Sequence, residues 1–241
     1  MPELKSFCDA VILAGSVAYG KNFSVRKESD IDLIILIERK DYDKITKCKL
    51  FKITAQIEEA LEFFKNKEVD HFSIREKIDD VDIQYHFWDK EAHYRAELMQ
   101  LPAPKVYNVF NMNPTELTGL DFSGIVHHLK LGDIKKCKYG AIHNYPAYFM
   151  ENGYLILRQP ILNLITAPEI LFTKDSQLLK NIESIWQNLA KKLIEESNGK
   201  VDLSKKSIIR AMYGNWNLSE ESKKILEEKQ KMVLSRLGVQ V

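Results

Sequence analysis

Two short runs near the start of the chain combine residue types that can do chemistry together. Val11-Ile12-Leu13-Ala14 leads into Gly15-Ser16, Gly20 follows, and a second run opens with Ser29-Asp30-Ile31-Asp32-Leu33. Alternation along an extended chain puts Asp30 and Asp32 on one face, roughly 6.5–7 Å apart at Cα. Carboxylates so spaced can converge on divalent cations, and all-oxygen ligands suit Mg²⁺ or Mn²⁺. Two such ions roughly 3.5–4 Å apart can clamp both the attacking and the leaving oxygens of an in-line displacement. Gly15 lets backbone approach a phosphate closely. If a helix starts at Ser16, its free N–H groups favour an anion and the Ser16 hydroxyl adds a hydrogen bond. Gly20 lets the chain leave this turn without strain. The chemistry expected of these residues is metal-dependent phosphoryl transfer.

One group that both binds metal and activates an acceptor requires a third carboxylate. Val81-Asp82-Ile83-Gln84-Tyr85 supplies it, because Asp82 lies on the face opposite Val81, Ile83 and Tyr85 in an apolar strand pattern. A buried aspartate costs several kcal/mol unless it is paired or metal-bound. Asp79 and Asp80 read as turn residues. Gln84 and His86 share the face of Asp82, either reaching toward an acceptor or serving as polar sheet surface.

Gly15-Ser16-Val17-Ala18-Tyr19-Gly20, Asp30-Ile31-Asp32-Leu33 and Val81-Asp82-Ile83 together resemble the DNA-polymerase-β-type nucleotidyltransferase superfamily, over about a third of the chain. The resemblance implies that Gly15 and Ser16 hold the β- and γ-phosphates of a nucleoside triphosphate. It implies that Asp30 and Asp32 bind two Mg²⁺ ions, and that Asp82 shares one and acts as general base. The residues alone leave α- and γ-phosphoryl attack open. The resemblance implies attack at the α-phosphorus, giving a nucleoside monophosphate ester and pyrophosphate. Val17 and Tyr19 stand where an arginine is common in the family's turn, and the gap to Asp30 is longer than in many antibiotic-modifying members. Lys21 or Arg26 could supply the positive charge. The expected reaction moves a nucleoside monophosphate, AMP in the first instance, to a hydroxyl of a small molecule, as in aminoglycoside or lincosamide resistance enzymes. The alternatives are a protein-adenylylating toxin–antitoxin component and a nucleotide-binding regulator without catalysis.

The elements that must position these residues are legible as patterns. Residues 10–14 and 30–38 read as strands, the second with Ile31, Leu33, Ile35 and Ile37 on one face and Asp30, Asp32, Ile34 and Leu36 on the other. Asp43 is the expected cap of one helix running to about residue 65, with Leu50, Ile53, Ile57, Leu61 and Phe64 at helical spacing. Strands are expected over 69–75 and 81–88, joined by the polar stretch 76–80. Stripes Ile182/Trp186/Leu189/Leu193 and Ile208/Ile209/Met212/Tyr213/Trp216 predict helices, and Ser219 caps a last helix ending at Gly238.

Six of the seven prolines and five of the ten glycines fall between residues 102 and 168, which marks a turn-rich connection. The expected fold is an α/β (α+β) nucleotidyltransferase lobe with a short mixed sheet flanked by helices over 1–101. The connection over 102–168 then leads to a mostly helical C-terminal lobe over 169–241, with the acceptor between lobes.

The chain has 241 residues, enough for a sizeable core. Its net charge of +1, from 35 basic and 34 acidic side chains, argues against nucleic acid as a partner. NTP and a small-molecule acceptor are the expected partners, with a protein acceptor as the alternative. Cys8, Cys48 and Cys137 form no metal or disulfide pattern, Met1-Pro2-Glu3-Leu4-Lys5 lacks the apolar region of a signal peptide, and no transmembrane helix is expected. A cytoplasmic location is therefore expected. His127, His128 and His143 have no carboxylate or cysteine at ligand spacing. Tyr145, Tyr148 and Tyr154 could stack on a substrate ring, with ordinary packing the plainer role. The pairs Lys135-Lys136, Lys191-Lys192 and Lys205-Lys206 read as solvated surface.

Overall fold

The computed structural model describes residues 1–19, 27, 29–68, 71–91, 124–130, 133–139, 148–151, 154–157, 169–196 and 218–240. Gly20, Lys21, Arg26, His143, Tyr145 and the stripe 208–216 lie outside the described residues, as do the side chains of Trp186, Leu189, Leu193 and residues 124–157.

The apolar run of residues 10–14 forms β1 (Ala10–Ala14), buried at every position. It sits inside a five-stranded sheet of order β3-β4-β2-β1-β9. The other members are β2 (Ile31–Ile37), β3 (His71–Ile78), β4 (Val81–Asp89) and β9 (Glu169–Thr173). Strands β2 and β4 run parallel and the other neighbours antiparallel. With helices packed on its faces, this is a mixed-sheet α+β fold.

The two faces of β2 are as the alternation predicts. Ile31, Leu33, Ile35 and Ile37 join the larger core, with Val11, Leu13, Ile83, Tyr85 and Phe87. That face is covered by α1 (Pro2–Phe7), α4 (Ala55–Lys65) and α6 (Glu220–Arg236), through Leu4, Ile57, Leu61, Phe64, Val233 and Leu234. Ile34 and Leu36 join a smaller cluster with Ile12, Trp88, Leu178 and Ile182 under α5 (Leu178–Glu196). That second face is apolar at one end only, and its other end carries the acidic residues.

The helix expected over 43–65 is two helices, α3 (Asp43–Lys47) and α4, and Thr54 rather than Asp43 is a side-chain cap. The break has a tertiary cause. The Lys49 backbone N–H donates to Glu3 Oε2 at 2.8 Å, while Phe51 turns into the core edge-on to Tyr85 and Phe87, at ring-centroid distances of 4.9 and 5.5 Å. Burying that ring outweighs the few tenths of a kcal/mol per residue that helix propensity offers.

The expected hairpin forms with a tighter turn than the polar stretch suggests. Residues 76–78 belong to β3, and Asp79 and Asp80 alone make the turn, with φ of 48° and 67°. Two positive φ values in a two-residue loop match the right-handed twist of the strands, and aspartate tolerates them better than most residues.

The C-terminal flank is not helical throughout. It opens with β9, paired antiparallel to β1, and only then enters α5. Ser219 caps α6 as expected, its hydroxyl accepting from Ser222 N–H at 3.1 Å, and Gly238 takes φ +74° just past the helix end. The Pro/Gly-rich middle, expected to be a turn-rich connection, holds regular structure. Its strands β5 (Gly124–Lys130), β6 (Asp133–Tyr139), β7 (Tyr148–Glu151) and β8 (Tyr154–Leu157) form a second sheet of order β6-β5-β8-β7. Among the described residues, no helix is long and apolar enough to cross a membrane.

Candidate active site

Gly15 follows β1 directly and opens the five-residue helix α2 (Gly15–Tyr19). Its φ of +69° favours glycine, and its missing side chain has a second use. A Cβ built there would stand 2.0 Å from Asp32 Oδ2. The register of β1 and β2, which pairs Ala14 with Asp32, brings the turn and the carboxylate together. Ser16 lies in the same turn, half-buried, while Val17 and Ala18 pack against the core.

Asp30 precedes β2 by one residue. Burial and the neighbouring charge of Asp32 push its carboxyl up to about 6, against partial compensation from Arg75 and His86. Arg75 comes within 3.6 Å of Asp30 Oδ2 and donates to Gln84 Oε1 at 3.4 Å. The two neighbouring carboxylates form a set of hard oxygen donors suited to a divalent cation.

Asp82 is the second residue of β4. The parallel register pairs Ile31 with Ile83 and Asp32 with Gln84. Continued one residue back, it sets Asp82 beside Asp30. Alternation then gives Asp82, Gln84 and His86 the same face as Asp32, and their β3 partners Lys77, Arg75 and Ser73 share it. Thus Gly15 and Asp32 meet directly, Asp30 lies near enough to Asp32 to feel its charge, and Asp82 shares their face one strand away. Among the described residues, no group of three or more His, Cys, Asp or Glu side chains converges closely enough to hold a metal ion. The Asp30–Asp32 pair suits a cation by its chemistry, whereas Asp82, expected as a third ligand, shares the face without converging on the pair closely enough to complete a three-residue site.

Other acidic residues have structural partners. Asp79 and Asp80 pair with Arg236 and Lys229 of α6, as befits turn residues. Asp89, buried at the far end of β4, pairs with Arg39 at 3.1 Å. Glu76 accepts a hydrogen bond from the Tyr85 hydroxyl.

His86 does not reach toward open space. Its Nε2 lies 3.2 Å from Asp32 Oδ1, and its Nδ1 lies 3.0 Å from His71 Nε2. His71 and Arg75 are additions that motif reasoning misses. The available signal was the run of polar residues at 71, 73, 75 and 77, alternating with apolar Phe72 and Ile74 on β3. That alternation places them across from Asp82, Gln84 and His86. Comparison with protein-family models, with curated proteins and with solved structures finds no match for this chain.

Proposed function

We propose that this chain is a metal-dependent nucleotidyltransferase that moves a nucleoside monophosphate from an NTP to an acceptor hydroxyl, releasing pyrophosphate. The observation that carries the reading is the contact of Asp32 with the Gly15 turn, beside Asp30 and on the face that Asp82 shares. The resemblance to the DNA-polymerase-β-type superfamily, read from those same residues, adds the choice of the α-phosphorus.

Asp30 and Asp32 would hold Mg²⁺, or Mn²⁺ in its place, and Asp82 would share that role. Bound Mg²⁺ supplies neutralisation of the triphosphate and of the charge that develops during displacement. The Gly15-Ser16 turn meets the phosphates with backbone N–H groups and the serine hydroxyl. Asp82 accepts the proton of the attacking hydroxyl, a role for which its half-exposed position leaves access from solvent. Arg75, 3.6 Å from Asp30, is a candidate cation for the phosphates in addition to Lys21 and Arg26. AMP is the group expected to move, and a small molecule is the expected acceptor.

The test is incubation of the intact chain with each α-labelled NTP, Mg²⁺ and acceptors that include a cell lysate. Label in a small-molecule fraction supports the reading as stated, and label in a protein band replaces the acceptor with a protein. Asp82→Asn should lower transfer by about 10²-fold or more. Unchanged transfer would remove Asp82 as the base.

A further inference from the structure

Resting on the nucleotidyltransferase reading, we infer that His86 is a positioning residue for Asp32, held in orientation by His71 and Trp88. The geometry is a directed chain. An ionised carboxylate only accepts, so the proton between His86 and Asp32 belongs to His86 Nε2, 3.2 Å from Asp32 Oδ1. In the neutral ring, Nδ1 then keeps a lone pair and accepts from His71 Nε2–H at 3.0 Å. The two imidazole planes lie within 19° of parallel, as an in-plane N–H···N bond requires, and His71 stacks on Trp88 with ring centroids 4.3 Å apart. Trp88 is buried in the cluster with Leu36, Leu178 and Ile182. A rigid core element under α5 thus reaches, ring by ring, to one oxygen of Asp32.

The other oxygen is limited from the opposite side, where Oδ2 lies against Gly15. Asp32 is therefore fixed by a donor at one oxygen and by shape at the other. A ligand fixed in this way needs no reordering when a cation arrives, and an N–H donor behind a ligating carboxylate sets its orientation. The same contacts assign His86 to Asp32 rather than to the acceptor.

The test is titration of the intact chain with Mn²⁺ alone, followed by the electron paramagnetic resonance signal of free Mn²⁺. His86→Phe keeps a ring and removes the donor, and should weaken Mn²⁺ binding by about tenfold or more. His86→Gln restores an N–H near the place of Nε2 and should recover most of that loss. Long-range ¹H–¹⁵N spectra of the unaltered chain should show His86 protonated at Nε2 and not at Nδ1. Equal Mn²⁺ binding by His86→Phe, no recovery in a folded His86→Gln, or an Nδ1–H tautomer would each overturn the assignment and leave the enzyme reading standing. Absence of Mn²⁺ binding by the unaltered chain would overturn both. If His86→Phe does not fold, the glutamine variant and the tautomer decide the matter.

Discussion

Asp30 carries a charge that the fold disfavours. Its carboxyl titrates near 6 in the folded chain against an ordinary 3.8. The folded state therefore holds the proton longer than the unfolded state, and between those values stability falls as pH rises. Above about pH 6 the penalty is fully present, and below the ordinary value it is gone. Discounted for the partial exposure of the side chain, it amounts to about 1–2 kcal/mol. Asp30→Asn should then raise the melting temperature by roughly 2–8 °C at pH 7.5, a gain that disappears near pH 3.5, while nucleotidyl transfer is lost. Thermal melts at the two pH values check the sign. Gly15 gives the opposite result. Gly15→Ala meets both a positive φ and the Asp32 carboxylate, so it should cost about 1–3 kcal/mol and displace a proposed metal ligand. Denaturant unfolding and Mn²⁺ titration of that variant should both report a loss. Both residues were legible as site candidates from type and spacing. The contact of Gly15 with Asp32 was not, because it depends on the antiparallel register of β1 and β2, which the sequence does not specify locally.

At the scale of elements, regular alternation was readable and interruptions were not. The strands at 10–14 and 31–37 and the last helix follow their apolar patterns closely. Residues 43–65 carry a helical pattern too, yet the chain leaves the helix at Cys48 because Glu3 captures the Lys49 N–H and Phe51 is needed in the core. No local signal encodes either partner. Phe51→Ala should accordingly cost about 3–5 kcal/mol, far more than a helix-surface substitution, as measured by urea unfolding. Strand β9 was missed for a related reason. Its five residues, Glu169–Thr173, precede a much longer helical stripe, and only pairing with β1 identifies them as a strand.

At the scale of the molecule, the C-terminal flank helps build the sheet that carries the candidate site. β9 borders β1, α5 covers the apolar end of the acidic face, and α6 closes the opposite core through Val233 and Leu234. Gln230 of α6, itself buried, donates to the Ser29 carbonyl at 3.4 Å, next to Asp30. The apolar patterning of the first third of the chain predicted a mixed sheet flanked by helices. They could not predict that strands and helices more than a hundred residues later complete it, since such pairing is set by tertiary packing. Leu234→Ala should destabilise the whole chain by about 2–5 kcal/mol, with the site's Mn²⁺ response lost in the same thermal transition. The central claim is that Asp30 and Asp32 bind nucleotide through a metal. Its most direct measurement is calorimetric titration of the intact chain with each of the four NTPs, with and without Mg²⁺. The expected result is binding of at least one NTP that requires Mg²⁺ and is abolished in Asp32→Asn. Binding that ignores both the metal and Asp32, or no binding of any NTP with Mg²⁺ or Mn²⁺, would contradict it.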